Sequence, residues 1–234
     1  MIKQFTFNHF GVNCYLVIDE ATKECAIVDP ACEASFEDAQ LTQYIADNGL
    51  VPVMVLLTHA HVDHIAGLRQ VCEHYHLPVT MHGDGRKLLR QAEAYGSVMG
   101  FAVDDMSDLA VQEIADGDTL EVGSRKSEVG DYGNGDTIPP FTLLPPTSIE
   151  CRYVPGHCPG SMCFVVPSEK AVLTGDALFH FSIGRTDLPG GDYPTLIEKL
   201  KTRILTLPDD YRVLPGHGIA SQIDKEKKYN SFLV

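Results

Sequence analysis

Val51-Pro52-Val53-Met54-Val55-Leu56-Leu57-Thr58-His59-Ala60-His61-Val62-Asp63-His64 is the stretch on which the fold turns. The apolar run 51–57 reads as a strand buried on both faces. It ends in four residues that can ligate a metal, His59, His61, Asp63 and His64. One extended or helical element cannot aim all four at a single point. A loop entering a helix can divide them, with His59 and His61 serving one ion and Asp63 and His64 a neighbour. From about His64 onward, Ile65, Leu68, Val71, Cys72 and Tyr75 recur at helical spacing, so a helix is expected there.

The same arrangement, an apolar strand running into a glycine-flanked ligand-type residue, returns three times. Arg152-Tyr153-Val154 leads through Pro155-Gly156 to His157, Val172-Leu173-Thr174 through Gly175 to Asp176, and Val213-Leu214 through Pro215-Gly216 to His217. Any one of these is an ordinary turn; three beside the 59–64 cluster point to a shared metal site. Around them, Asn13–Ile18 and Cys25–Val28 read as an antiparallel hairpin. Helices are expected over 33–48, from about Asp84, from Tyr193-Pro194, and over Asp224–Phe232. Short strands are expected at Val79–Met81, Val111–Ile114, Thr119–Val122, Ile149–Val154, Met162–Val166 and Ala171–Thr174. Strands and helices thus recur in both halves, as sheet packed on sheet with helices outside would require. Segment 123–148 holds Pro139, Pro140, Pro145 and Pro146. It is expected to be an exposed loop or irregular hairpin, or else a flap over the site or an oligomer contact, and to be the first place a protease cuts.

Composition narrows the class. The chain of 234 residues, 44% hydrophobic and 21% charged, suits one large folded domain over 1–234. No apolar run approaches the roughly 20 residues of a membrane helix. No secretion signal is visible at the N-terminus, so a cytoplasmic location without membrane attachment is expected. Seven single cysteines without a Cys-x-x-Cys pair fit buried thiols better than a disulfide framework. A formal net charge of −14 repels nucleic acid.

Beyond these patterns, the sequence resembles the metallo-β-lactamase superfamily and, within it, glyoxalase II-like hydrolases of the short bacterial type. The likeness runs through Ile27-Val28-Asp29-Pro30, Thr58–His64, Pro155–Ser161, Thr174–Phe179, Ile183–Asp187 and Pro215–Gly218. It implies an α/β fold, a four-layer αββα sandwich with metals in a cleft at one edge. It also implies His59, His61 and His157 on a first metal, Asp63, His64 and His217 on a second, and Asp176 bridging the two. Asp63 and Asp176 would then be the carboxylates of the catalytic centre. Imidazole and carboxylate donors suit two zinc ions, with iron or manganese also compatible. A dinuclear site of this kind leaves room for a shared water whose pKa is lowered toward about 7.

The expected reaction is hydrolysis of a small-molecule thioester, with S-lactoylglutathione as the substrate the resemblance suggests. The alternatives are a mononuclear iron persulfide dioxygenase, whose group shares these ligand positions, or another hydrolase such as a lactonase. Class B β-lactamases commonly carry a cysteine among the second-metal ligands, and Asp176 stands at the matching position here. Longer glyoxalase II enzymes contact glutathione through a C-terminal helical region. This sequence runs only about 17 residues past His217, so weak dependence on the glutathione part is expected. Arg185 and Asp187 are candidates for orienting a ligand or, for Arg185, facing an anionic substrate. His180 is a candidate for lining the pocket. Cys158 reads as a small buried residue, and His9, His74, His76 and His82 as non-ligands.

Overall fold

The computed structural model describes residues 1–123 and 145–234. Strands β1 (Ile2–Phe7), β2 (Val12–Ile18) and β3 (Glu24–Val28) open the chain as an antiparallel meander. Helix α1 (Ser35–Asp47) leads to β4 (Val51–Leu56), α2 (Leu68–Tyr75) to β5 (Val79–His82), and α3 (Arg86–Arg90) with α4 (Ala92–Met99) to β6 (Val111–Ile114). Strands β3 to β6 are parallel, and the first sheet has the order β1-β2-β3-β4-β5-β6.

The second half contributes β7 (Thr119–Val122), β8 (Thr147–Tyr153), β9 (Met162–Val166), β10 (Ala171–Gly175), a small hairpin β11 (Leu178–Phe179) and β12 (Ser182–Ile183), helix α5 (Tyr193–Lys199), β13 (Arg212–Pro215), β14 (Ser221–Gln222) and α6 (Ile223–Tyr229). The second sheet has the order β14-β13-β10-β9-β8-β7. Asp116-Gly117-Asp118 carries the chain from the edge strand of one sheet to the edge strand of the other, with Gly117 at φ +89°.

Strand alternation divides the core into three layers. On β2, Cys14, Leu16 and Ile18 point outward to a cluster with Leu41 and Ile45 of α1 and Val71 of α2. Tyr15 and Val17 point inward and meet Ile149, Phe164 and Leu173 of the second sheet. On that sheet's far side, Val165, Val172 and Val213 pack on Leu196 of α5, on Leu200 just after it and on Ile223 of α6. Each such aliphatic or aromatic side chain, fully buried, stabilises by about 1.5–3 kcal/mol. The result is the expected four-layer αββα sandwich. All seven cysteines are buried and unpaired, and among the described residues no helix is long and apolar enough to cross a membrane.

Several elements differ from the sequence reading. Strand β1 was not expected. Its Lys3 and Gln4 interrupt the apolar pattern, and as an edge strand it buries only Phe5 and Phe7. Strand β4 is not buried throughout: Val51 is exposed, and only Val55 and Leu56 lie in the core. The helix expected from His64 starts at Leu68, because residues 61–67 are used up in turns that spread the ligand-type side chains. The helix from Asp84 is a 3-10 turn followed by two short helices. Of segment 123–148, residues 124–144 lie outside the described residues, and its ends join the antiparallel pair β7 and β8.

Candidate metal centre

Every ligand-type residue of the sequence reading follows a strand at the same edge of the sandwich. His59, His61, Asp63 and His64 lie in the turns after β4, His157 after β8, Asp176 after β10 and His217 after β13. Parallel pairing of β10 with β13 brings Asp176 and His217 side by side. The isolated bridge between Val12 and His217 ties that loop to the first sheet.

The side chains converge. His61 Nδ1 lies 2.9 Å from His157 Nε2, and His59 groups with both. His64 Nε2 lies 3.3 Å from His217 Nε2, and Asp63 Oδ2 lies 3.2 Å from His217 Nε2. Asp176 stands between the two groups. Its Oδ1 is 3.3 Å from His64 Nε2, and its Oδ2 is 3.5 Å from His217 Nε2 and 3.7 Å from His157 Nε2. Cys158 Sγ falls in the same neighbourhood as His59, His61 and His157, but it also lies 3.2 Å from Ser161 Oγ. Burial pushes its thiol up to about 12, which keeps it protonated.

Four of the five imidazoles are held from behind by an acceptor. His64 Nδ1 donates to Asp29 Oδ2 at 2.9 Å, His157 Nδ1 to the Arg185 carbonyl at 2.8 Å, and His217 Nδ1 to the Phe10 carbonyl at 3.0 Å. His59 Nδ1 donates to Thr58 Oγ1 at 3.1 Å, whose hydroxyl in turn donates to Asp29 Oδ2 at 2.6 Å. Each such bond fixes the tautomer and turns the lone pair of Nε2 inward, as a metal-binding imidazole requires. Imidazole nitrogens set about 3 Å apart must share either a proton or a cation. Two buried atoms point to the cation, since His59 Nε2 and Asp176 Oδ1 have no hydrogen-bond partner among the described residues. The donor set therefore fits two metal ions.

Electrostatics divides the site in two. Burial and neighbouring imidazoles hold His59 well below the usual histidine range and push His61 down to about 4, and burial lowers His157. These three are neutral at neutral pH, ready to donate to a cation. At the other half burial again lowers the imidazoles, yet the Asp176 and Asp63 carboxylates outweigh it and raise His64 and His217. In the same way the facing imidazoles outweigh burial and hold Asp63 and Asp176 below the usual carboxylate range. Positive charge is favoured there.

Two glycines make room for this. A Cβ at Gly216 would lie 2.3 Å from Asp176 Oδ1 and 2.7 Å from His64 Cε1. One at Gly184 would lie 1.8 Å from the Asp176 carbonyl oxygen. Neither position accepts a side chain without displacing the cluster.

Of the weaker candidates, Arg185 and Asp187 pair bidentately, both bonds 2.8 Å, with side chains 59% and 70% exposed. The pair is a surface ion pair, and it is the backbone carbonyl of Arg185 that steadies His157. His180 does not join the cluster. Its ring lies against Phe181 and its Nδ1 3.3 Å from Ser221 Oγ. The sequence reading missed Asp29 as a working residue. It is 2% exposed at φ +51° and accepts from the Thr58 amide, the Thr58 hydroxyl and His64. Asn13 is a second omission: its side-chain amide donates to the carbonyls of Pro215 and Gly218, steadying the His217 loop. A polar residue at the start of the apolar run of β2 was the available signal.

The profile of the metallo-beta-lactamase superfamily matches residues 8–217. The chain belongs to that superfamily. Among its relatives, a probable metallo-hydrolase of Bacillus subtilis (strain 168), YqgX, is 35% identical over 94% of this chain and 92% of its own length. The hydroxyacylglutathione hydrolase GloC of Haemophilus influenzae is 32% identical over 96% of this chain and 93% of its own. Among solved structures, the B3 metallo-beta-lactamase BLEG-1 superposes with a TM-score of 0.82 at 28% identity, each chain covered completely. TTHA1623, crystallised in a di-iron-bound form, superposes at 0.79 with 31% identity, covering 99% of this chain and 100% of its own. The superfamily and its hydrolase relatives make this chain a metal-dependent hydrolase by descent.

Proposed function

We propose that the protein is a dinuclear metal-dependent hydrolase of small thioesters. The observation that carries the reading is the convergence of five imidazoles and two carboxylates, four of the imidazoles held with their lone pairs inward. His59, His61 and His157 would hold one ion, Asp63, His64 and His217 the other, and Asp176 would reach both. Bound ions at such a centre lower the pKa of water toward neutrality and polarise a carbonyl.

The protein's own groups then have a limited task. Asp29, Thr58 and the carbonyls of Phe10 and Arg185 hold the rings rigid, and Asp176 and Asp63 stay ionised. His217, 26% exposed, and Asp63 and Asp176, each 12% exposed, mark the side from which substrate enters. A thiol leaving group with a pKa of about 8.5 departs without a strong general acid, and the cluster offers none. Likeness to the hydroxyacylglutathione hydrolase favours a thioester among the substrates of such centres. Zinc suits the donor set, and the di-iron form of TTHA1623 makes iron an equal contender.

Zinc-loaded and iron-loaded protein, assayed with S-lactoylglutathione and with a simple acyl thioester, should release thiol, with the rate rising toward neutral pH. Oxygen uptake with glutathione persulfide by the iron form, together with no thioester cleavage by either form, would replace this reading with the dioxygenase.

A further inference from the structure

The short turn between β1 and β2 touches the candidate metal centre twice, at Asp63 through the Asn8 side chain and at His217 through the Phe10 carbonyl. Asn8 sits at φ +52°, a left-handed conformation that asparagine tolerates better than most side chains. Its side-chain NH2 donates to the backbone carbonyl of Asp63 at 2.8 Å and to that of Ala31 at 3.0 Å. Its side-chain oxygen accepts from the Phe10 amide at 2.9 Å, and the Phe10 carbonyl accepts from His217 Nδ1. Asn8 is itself anchored: its backbone amide donates to Glu37 Oε1 at 2.6 Å. The Glu37 carboxylate, 8% exposed, also accepts from the amides of Glu33 and Ala34 at the start of α1.

From this geometry we infer that Asn8 is a positioning residue for one half of the centre, the half made by Asp63, His64 and His217. Of those three, Asp63 is held by Asn8 directly, His217 by way of Phe10, whose amide Asn8 holds, and His64 by Asp29. The other half hangs on different supports, Thr58 for His59 and the Arg185 carbonyl for His157. Asn8 therefore tunes one ion's affinity without the other's, and the Glu37 contact makes the entrance of α1 part of that support. The inference rests on the dinuclear reading.

The test is a stepwise cobalt(II) titration of metal-depleted protein. It is followed by absorption and by the paramagnetically shifted ring N–H resonances of the histidines. Asn8→Gly keeps the left-handed backbone free of strain and removes all three side-chain bonds. Asn8→Asp keeps an acceptor for the Phe10 amide and loses the NH2 donors; its added negative charge would by itself strengthen cation binding. In both variants one binding step should weaken about tenfold or more while the other keeps its wild-type constant. The shifted His217 N–H should be lost or moved and that of His157 retained. Equal weakening of both steps, or none, would overturn the inference while leaving two ions per wild-type chain intact. A wild-type chain that takes up a single cobalt ion would instead sink the dinuclear reading and the inference with it.

Discussion

Asp176→Ala should remove metal from both halves of the centre and abolish turnover. The carboxylate stands between His64, His157 and His217, its two oxygens 3.3–3.7 Å from their inward nitrogens. Water in its place carries no charge to balance two cations. Elemental analysis of the purified variant should show less than half of the wild-type metal, and thioester cleavage should fall to background. A variant with full metal content and wild-type activity would show that Asp176 does not join the two halves. Because Asp176 is not in the hydrophobic layers, the variant should remain folded, with an unchanged far-ultraviolet spectrum.

Asp29→Asn is expected to have the next largest effect, although Asp29 faces neither ion in the proposed scheme. Its two oxygens accept three hydrogens, from the Thr58 amide at 2.7 Å, the Thr58 hydroxyl at 2.6 Å and His64 Nδ1 at 2.9 Å. An amide supplies one acceptor oxygen and turns a donor toward donors. Either Thr58 loses its partner and frees His59, or His64 turns over its tautomer and points a hydrogen into the centre. Asparagine tolerates the left-handed backbone at this position, so the substitution isolates the hydrogen bonds from strain. Metal affinity should fall about 10–100-fold, measured by competition with a chromophoric chelator. Wild-type affinity in this variant would show that the rings are held by packing alone.

The four layers were legible because β2, β9 and β10 are continuous apolar runs and the helices carry apolar faces at helical spacing. The ligand-type residues were legible because each follows such a strand and, after the first cluster, is flanked by glycine. The structure brings all seven to one edge, which spacing alone could not do, since the approach of His217 to His64 depends on sheets packed through side chains distant in sequence. The supports were not legible. Asp29 and Asn8 look like ordinary turn residues, and their partners are backbone groups that carry no residue-type signal. The Phe10 and Arg185 carbonyls could not be found from sequence by any pattern. Arg185 drew attention for its guanidinium, which pairs with Asp187 at the surface, while its carbonyl does the positioning. Strand β1 escaped because an edge strand needs only two buried residues, and β11, β12 and β14 because two residues make no period.

The central claim, that two ions share this centre, is met most directly by counting them. Protein purified without added metal, then reconstituted with excess zinc and freed of loose ions, should hold two ions per chain by elemental analysis. Anomalous scattering from crystals should place one peak among His59, His61 and His157, and another among Asp63, His64 and His217. No more than one ion per chain after reconstitution, or a peak away from these side chains, would contradict the account.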